Sequence, residues 1–207
     1  TAAKMPRSTK RIFCVEGNIG VGKTTLLKRL KELGVSGAVV IEEPVDEWTK
    51  VEISPGVNML QAMYTGELSK ATFQMAILQS RFGPLQRALL DPEIHTVITE
   101  RSPWSEKLVF ASTNLSPTDM AAYNYTHASS CKFFLSVCKL NVTFVYLDAG
   151  IEALSKRIAT RSRTEESGIS VEYLERLECA HEKMRTDLVD VGSLGIEDGD
   201  GAPKHVQ

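Results

Sequence analysis

Two rhythms of apolar positions alternate along the 207-residue chain, and together they predict an α/β fold. Short apolar runs that close on polar residues read as strands: residues 11–16 closing on Gly17, 37–41 breaking at Pro44, 96–99 ending at Glu100, and 142–147 ending at Asp148. Between and after them, apolar residues recur at helical spacing over 23–33, with a stop signal at Gly34, and over 69–90, 117–137, 151–161 and 171–188. Strands alternating with long helices imply a parallel sheet. No internal repeat breaks the pattern, and the length suits one domain over residues 1–207. The segment 192–207, rich in glycine and acidic residues, is expected to be a loosely ordered tail.

Composition narrows the possible partners. A net charge of -2 leaves no broad basic surface, so nucleic acid is not an expected partner. The longest apolar runs, such as 37–41 and 144–147, fall far short of the roughly 18 to 20 residues that cross a bilayer, so no membrane is expected either. Cys14, Cys131, Cys138 and Cys179 form no CxxC pair and read as buried reduced thiols. That suits an intracellular compartment, in the first instance the cytoplasm. The basic residues among 1–10 lack an apolar secretory core but leave a mitochondrial address open.

The segment GNIGVGKT fits the pattern G-x-x-x-x-G-K-[ST], with a strand before it and a helix after it. In that setting the backbone N–H groups of Gly17, Asn18, Ile19, Gly20, Val21 and Gly22 cradle phosphate oxygens. Lys23 neutralises their charge, the Thr24 hydroxyl reaches Mg²⁺, and Thr25 completes the phosphate-binding run. A glycine-rich turn that merely caps a helix does not call for lysine and threonine at its end. The expected fold is therefore a P-loop NTPase-type three-layer α/β/α arrangement around a parallel sheet. By itself the loop does not separate kinases from GTPase switches or motor ATPases, which hold phosphates and metal alike.

In parallel α/β sheets ligands collect at the carboxyl ends of the strands, where Gly17, Glu43, Glu100 and the region after Asp148 all fall. In IEEPVDEW, Glu43 stands where an acceptor hydroxyl would meet the terminal phosphate, and a carboxylate there can act as general base. Taken alone, it also reads as part of a surface acidic loop. In TERSPWSEKLVF, Glu100 could bind Mg²⁺ and Arg101 could compensate charge on a transferring phosphoryl group, or the two could form a salt bridge. In RIATRSRTEES, Arg157 and Arg161 lie four apart on a helix face with Arg163 beyond them. Composition favours a solvated basic face. Once a triphosphate loop is granted, planar and permanently charged arginines make a closing, arginine-rich lid at about 161–168 the better reading.

Six ordered segments carry a family resemblance: EGNIGVGKTT, EEPVDEW, MLQAMY followed by TFQ, ERSPWSEKLVFA, the arginine lid with its EE pair, and EYLERL. Over about residues 11–183 the chain resembles the cellular and viral deoxynucleoside kinases related to deoxycytidine and deoxyguanosine kinase, the viral thymidine kinase relatives included. The resemblance implies ATP-dependent transfer of the γ-phosphoryl group to the 5′-hydroxyl of a deoxynucleoside, with Mg²⁺, giving the 5′-monophosphate in nucleotide salvage. It implies Glu43 as the base, Arg101 as the neighbouring transition-state arginine, and Thr24 with Glu100 as metal holders. Lys23, Arg157, Arg161 and Arg163 would bind the phosphates.

Tyr64, next to Met63, and Glu166 match the pair that bonds the sugar 3′-hydroxyl. Gln74 matches the amide that reads the base edge, while Trp48, Phe73 and Phe110 match the walls of the ring slot. Without the resemblance these aromatics read as ordinary core residues, and Glu166 as an exposed acid. Family members that favour cytosine or purines pair an arginine with an aspartate at the positions of Arg81 and Glu106. Glutamate is one methylene longer, which narrows the slot and tilts the expectation to deoxycytidine, deoxyadenosine or deoxyguanosine over thymidine. Two more departures stand out: Trp104, which either packs or reshapes the cleft, and GSLGIEDGDGAP, a poor strand former where relatives have a last apolar strand. The resemblance further implies a homodimer built on long helices and feedback inhibition by a deoxynucleoside triphosphate. The rivals are a nucleoside monophosphate kinase of the thymidylate type, and a non-catalytic nucleotide-binding protein, although the NKxD base-reading motif of switches is absent.

Overall fold

Burial alternates along the first strand and then becomes continuous at Cys14, Val15 and Glu16, as expected of a strand covered on both faces. The structure, a computed structural model, describes residues 9–161, 163, 166, 168–190 and 204–206. In chain order the strands are β1 (Thr9–Glu16), β2 (Ala38–Ile41), β3 (Glu52–Ser54), β4 (Val57–Asn58), β5 (Thr96–Glu100), β6 (Lys139–Tyr146) and β7 (Lys204–Val206). Five of them form a wholly parallel sheet ordered β2-β5-β1-β6-β7, and β3 pairs with β4 as a separate antiparallel hairpin. The helices are α1 (Lys23–Leu33), α2 (Val45–Trp48), α3 (Met59–Thr65), α4 (Lys70–Leu90), α5 (Pro103–Ser105), α6 (Ser112–Asn114), α7 (Pro117–Val137), α8 (Ile151–Arg161) and α9 (Val171–Asp190), with a π-helical turn over Glu106–Ala111 between α5 and α6. Helices pack on this sheet in the P-loop NTPase-type α/β/α arrangement, α1 against β2 and β5 and α4 against β2.

The main core joins the inward side chains of the sheet, such as Ile12, Val97, Val142 and Phe144, to Leu78, Phe82, Leu85 and Leu89 of α4. Each such side chain contributes about 1.5–3 kcal/mol on full burial. Phe82 stacks on Phe134 of α7 at 4.8 Å between ring centroids, which docks α4 and α7 together. Helix starts follow local chemistry. The side chains of Asn58, Ser69 and Ser116 each accept a hydrogen bond from the backbone N–H three residues on, and Pro117 opens α7, where its missing N–H costs nothing.

Trp104 packs, edge-on against Phe144 at 6.0 Å, within the main core. Lys204–Val206 lies parallel to β6, with Thr143 opposite Lys204. At those three residues the structure departs from the loosely ordered tail expected of 192–207. Main-chain pairing with the open edge of β6 does not require an apolar sequence. Residues 191–203, including all of GSLGIEDGDGAP, lie outside those described. Of the four cysteines, Cys14 and Cys138 are buried as expected, Cys131 is half-buried, and Cys179 is exposed, because it falls on the outer face of α9. Among the described residues no helix is long and apolar enough to cross a membrane.

Candidate active site

The loop between β1 and α1 turns back on itself with positive φ at Gly17 (132°) and Gly20 (80°). A Cβ on Gly17 would stand 2.3 Å from the Leu147 carbonyl oxygen, and one on Gly20 would stand 3.0 Å from the Ile158 side chain. Glycine is therefore required for both conformation and space. Gly17→Ala is expected to cost about 2–3 kcal/mol, since neither the backbone conformation nor the carbonyl can give way cheaply. Urea denaturation of the two proteins side by side checks this.

Lys23, the first residue of α1, reaches back to donate to the carbonyls of Gly17 (3.0 Å) and Asn18 (2.8 Å). Burial and the nearby Arg101 bring its pKa down to about 7, against the opposing pull of Glu43, Glu100 and Glu16. The Thr24 hydroxyl donates to the Glu100 carboxylate, lying 3.0 and 3.1 Å from its two oxygens. Asn18 behaves differently. Its side-chain amide donates to the Leu174 carbonyl and to Glu178 at 2.9 Å each, so it ties the loop to α9 and points away from the phosphate side. Arg157 of α8 donates to the Val21 carbonyl at 3.1 Å and braces the loop from the other flank.

A single cleft of about 1140 Å³ runs from this loop past the ends of β2 and β5 to α3 and α4. Its lining takes in Ile19 to Thr25, Glu43, Trp48, Met63, Tyr64, Phe73, Gln74, Arg81, Glu100, Arg101, Glu106, Phe110, Arg157, Arg161, Arg163 and Glu166. Of the catalytic and binding residues expected from sequence, Gly17 and Asn18 fall outside this wall, as does Trp104. Gly17 instead accepts from Lys23 and, at 3.0 Å, from Arg101.

Arg81 of α4 is the hub of the polar contacts on the side of the cleft toward α3 and α4. Its guanidinium donates to Glu43, to Glu106 at 2.9 Å and to the Glu100 carbonyl at 3.3 Å, and lies 5.7 Å from the Trp48 ring. Burial works against the Glu43 charge, but Arg81, Arg101 and Lys23 outweigh it and hold its pKa down to about 2. Glu106, only 1% exposed, goes the other way: burial and the Glu43 charge push its carboxyl up against the pull of Arg81. One guanidinium cannot fully compensate two buried carboxylates, and the deeper one gives way.

Arg101 follows β5 with φ 62°, puts Nε 3.6 Å from Glu43 and lies 4.4 Å over the Phe110 ring. Gln74 is 4% exposed, and its Oε1 meets no hydrogen-bond partner among the described residues, which leaves a buried amide acceptor at the cleft wall. Phe73 meets Trp48 edge to face at 6.3 Å, and the Trp48 indole N–H donates to Ser80. The π-turn carries both Glu106 and Phe110; such wide turns re-aim side chains and cluster at functional sites. Among the described residues of the segment expected to form a lid, Glu166 is gripped by Arg161 and, at 3.2 Å, by Arg163. Burial raises the Tyr64 pKa, with Tyr173, Glu166 and Glu43 adding to it.

Sequence reasoning assigned no role to Asn114 and Tyr173, whose side chains bond each other at 3.1 Å on the cleft wall, nor to Lys28 and Arg29 on the exposed side of α1. Tyr173 had a signal, since it lies in EYLERL. The others had none.

A profile of deoxynucleoside kinases matches residues 13–203. The chain is 36% identical over 183 residues to the thymidine kinase of Ictalurid herpesvirus 1 (strain Auburn), covering 87% of this chain and 76% of that one. It is 33% identical over 190 residues to Homo sapiens deoxycytidine kinase (81% and 72% covered) and 31% identical over 192 residues to Xenopus laevis mitochondrial deoxyguanosine kinase (83% and 72% covered). The chain belongs to the deoxynucleoside kinase family. It is accordingly a phosphotransferase, and the deoxynucleoside kinase cleft has two ends: a phosphate loop at one, and an amide among aromatic rings at the other. In this kinase Glu43 lines the same cleft, ion-paired with Arg81 and 3.6 Å from Arg101.

Proposed function

We propose that this kinase moves the γ-phosphoryl group of ATP to the 5′-hydroxyl of a deoxynucleoside and supplies monophosphates for nucleotide salvage. The observation that carries the reading is the place of Glu43, a carboxylate kept ionised by Arg81, Arg101 and Lys23 on the wall of the cleft that also carries Gln74. There it accepts the hydroxyl proton as the P–O bond forms. A weak base suffices, because in a loose transition state the hydroxyl gives up its proton late, when it has become strongly acidic. Arg101, with Lys23, Arg161 and Arg163, compensates the charge on the phosphoryl oxygens, and Glu166 with Tyr64 bonds the sugar 3′-hydroxyl.

Thr24 and Glu100 offer hard oxygen donors side by side, which fits Mg²⁺. Among the described residues no three His, Cys, Asp or Glu side chains could cage a metal, so the nucleotide's phosphate oxygens would complete the shell. An ion held by Thr24 and Glu100 would supply charge neutralisation to the nucleotide's phosphates.

For the base, the Gln74 amide supplies one donor and one acceptor, and the Arg81–Glu106 pair closes the slot beyond it. The longer glutamate leaves little room for a methyl group, so deoxycytidine, deoxyadenosine and deoxyguanosine are favoured over thymidine. Exposed Leu90, Tyr125 and Phe133 on α4 and α7 offer apolar surface for the homodimer we assign to this chain. A deoxynucleoside triphosphate could span both ends of the cleft as a feedback inhibitor.

The test is a panel of the four deoxynucleosides and their monophosphates with ATP and Mg²⁺. Conversion of a deoxynucleoside to its 5′-monophosphate supports the proposal. Turnover of monophosphates alone would make the chain a nucleoside monophosphate kinase, and nucleotide binding without turnover would make it a switch. Lys23 adds a separate expectation. With its pKa at about 7 before nucleotide binds, it is largely neutral at pH 8, and the incoming polyphosphate restores its charge. Nucleotide binding at pH 8 is therefore expected to take up protons, seen calorimetrically as a binding enthalpy that depends on the buffer's ionisation enthalpy.

A further inference from the structure

Among the described residues Arg101 alone, apart from glycines, has a positive φ, 62°. A left-handed backbone at a residue with a side chain costs about 1–2 kcal/mol and persists only where the surroundings impose it. Arg101 and the residue after it are both gripped by the end of β1. The Arg101 N–H donates to the Val15 carbonyl at 2.9 Å. The next residue, Ser102, donates its hydroxyl to Glu16 at 2.6 Å while accepting from the Ser105 N–H, and the Ser105 hydroxyl accepts from the Ser102 N–H in return. Glu16, Ser102 and Ser105 are each almost wholly buried, and none of the three is on the wall of the cleft.

We propose that Glu16, acting through Ser102, is a positioning unit that holds Arg101 in its strained conformation and registers it against the phosphate loop. Glu16 immediately precedes Gly17, whose carbonyl accepts from the Arg101 guanidinium. One short stretch of β1 therefore fixes both the root of the glycine loop and the backbone that aims the arginine. Released from Ser102, the chain at Arg101 would relax toward an ordinary conformation and swing the guanidinium away from Glu43 and Phe110. Burial raises the Glu16 pKa, while the Ser102 hydrogen bond and the Arg101 charge pull it down, in line with a carboxyl kept for its hydrogen bond.

The inference rests on Arg101 acting in phosphoryl transfer. Ser102→Ala is expected to lower kcat by about 10–100-fold, with the deoxynucleoside KM within about threefold, as a misaimed charge does. Glu16→Ala should do the same, and Glu16→Gln, which keeps an acceptor for the hydroxyl, should recover most of the loss. The deciding measurement is a double-mutant cycle by single turnover, below each variant's melting midpoint. In an Arg101→Ala background, Ser102→Ala should change the rate less than about twofold. An equal loss in both backgrounds would mean that the serine only supports the fold, and would overturn the proposal. Full activity of Arg101→Ala by itself would instead sink the role of Arg101 and leave the positioning unit nothing to position.

Discussion

Glu43→Gln is expected to lower kcat by about 10³-fold, within the 10²–10⁴ range of a lost general base, while deoxynucleoside still binds. Glutamine keeps the shape and one acceptor oxygen but cannot take the hydroxyl proton. Because Glu43 is ion-paired to Arg81 and near Arg101, the same change also frees two guanidinium groups in the cleft. Binding therefore has to be measured separately, for example by the fluorescence of Trp48 on the cleft wall. Wild-type turnover by the variant would exclude Glu43 as the base and leave it an anchor for arginines.

The second large effect falls on stability. Arg81→Leu removes the one guanidinium bonded to both Glu43 and Glu106 and leaves buried carboxylates without their partner, at a cost of about 3–5 kcal/mol. The pH dependence has a defined sign. In the wild type Glu43 is held at about 2 against an unperturbed 4.5, so its contribution is complete above about 4.5 and fades as pH falls toward 2. Glu106, pushed up by burial, acts oppositely and favours the folded state more as it takes up its proton. In Arg81→Leu the depression of Glu43 is lost, so acid costs the variant less than it costs the wild type. Urea denaturation at pH 7 and pH 4 measures the difference, and the acid limb of kcat/KM should move to higher pH. Equal stability of the two proteins at pH 7 would show that water compensates those carboxylates.

Much of this was legible from short-range pattern. The bounds of α1, α7 and α8 agree with their apolar periodicity to the residue, because a helix is specified by spacing within a few turns and by local caps. The hairpin β3–β4 and helices α2 and α3 escaped notice, since none runs long enough to show a period. Trp104 is instructive in another way. From sequence it either packed or reshaped the cleft, and a capped turn opened by Pro103 decides for packing, edge-on against Phe144.

By itself, the sequence determined the strand–loop–helix order, the glycine loop with Lys23 and Thr24, and the set of acids, arginines and aromatics that meet in the cleft. The first two rest on neighbours in the chain and on a motif whose spacing is its geometry, whereas the set of cleft residues came from the family resemblance, since Trp48, Phe73, Phe110 and Glu166 taken alone read as core residues and an exposed acid. Tertiary structure alone decided that Arg81 is shared between Glu43 and Glu106, that Asn18 faces α9, and that Glu16 reaches Ser102 to hold Arg101 in a left-handed turn. These pairings join residues far apart in sequence. Their strength depends on distance and burial, which chain order does not encode.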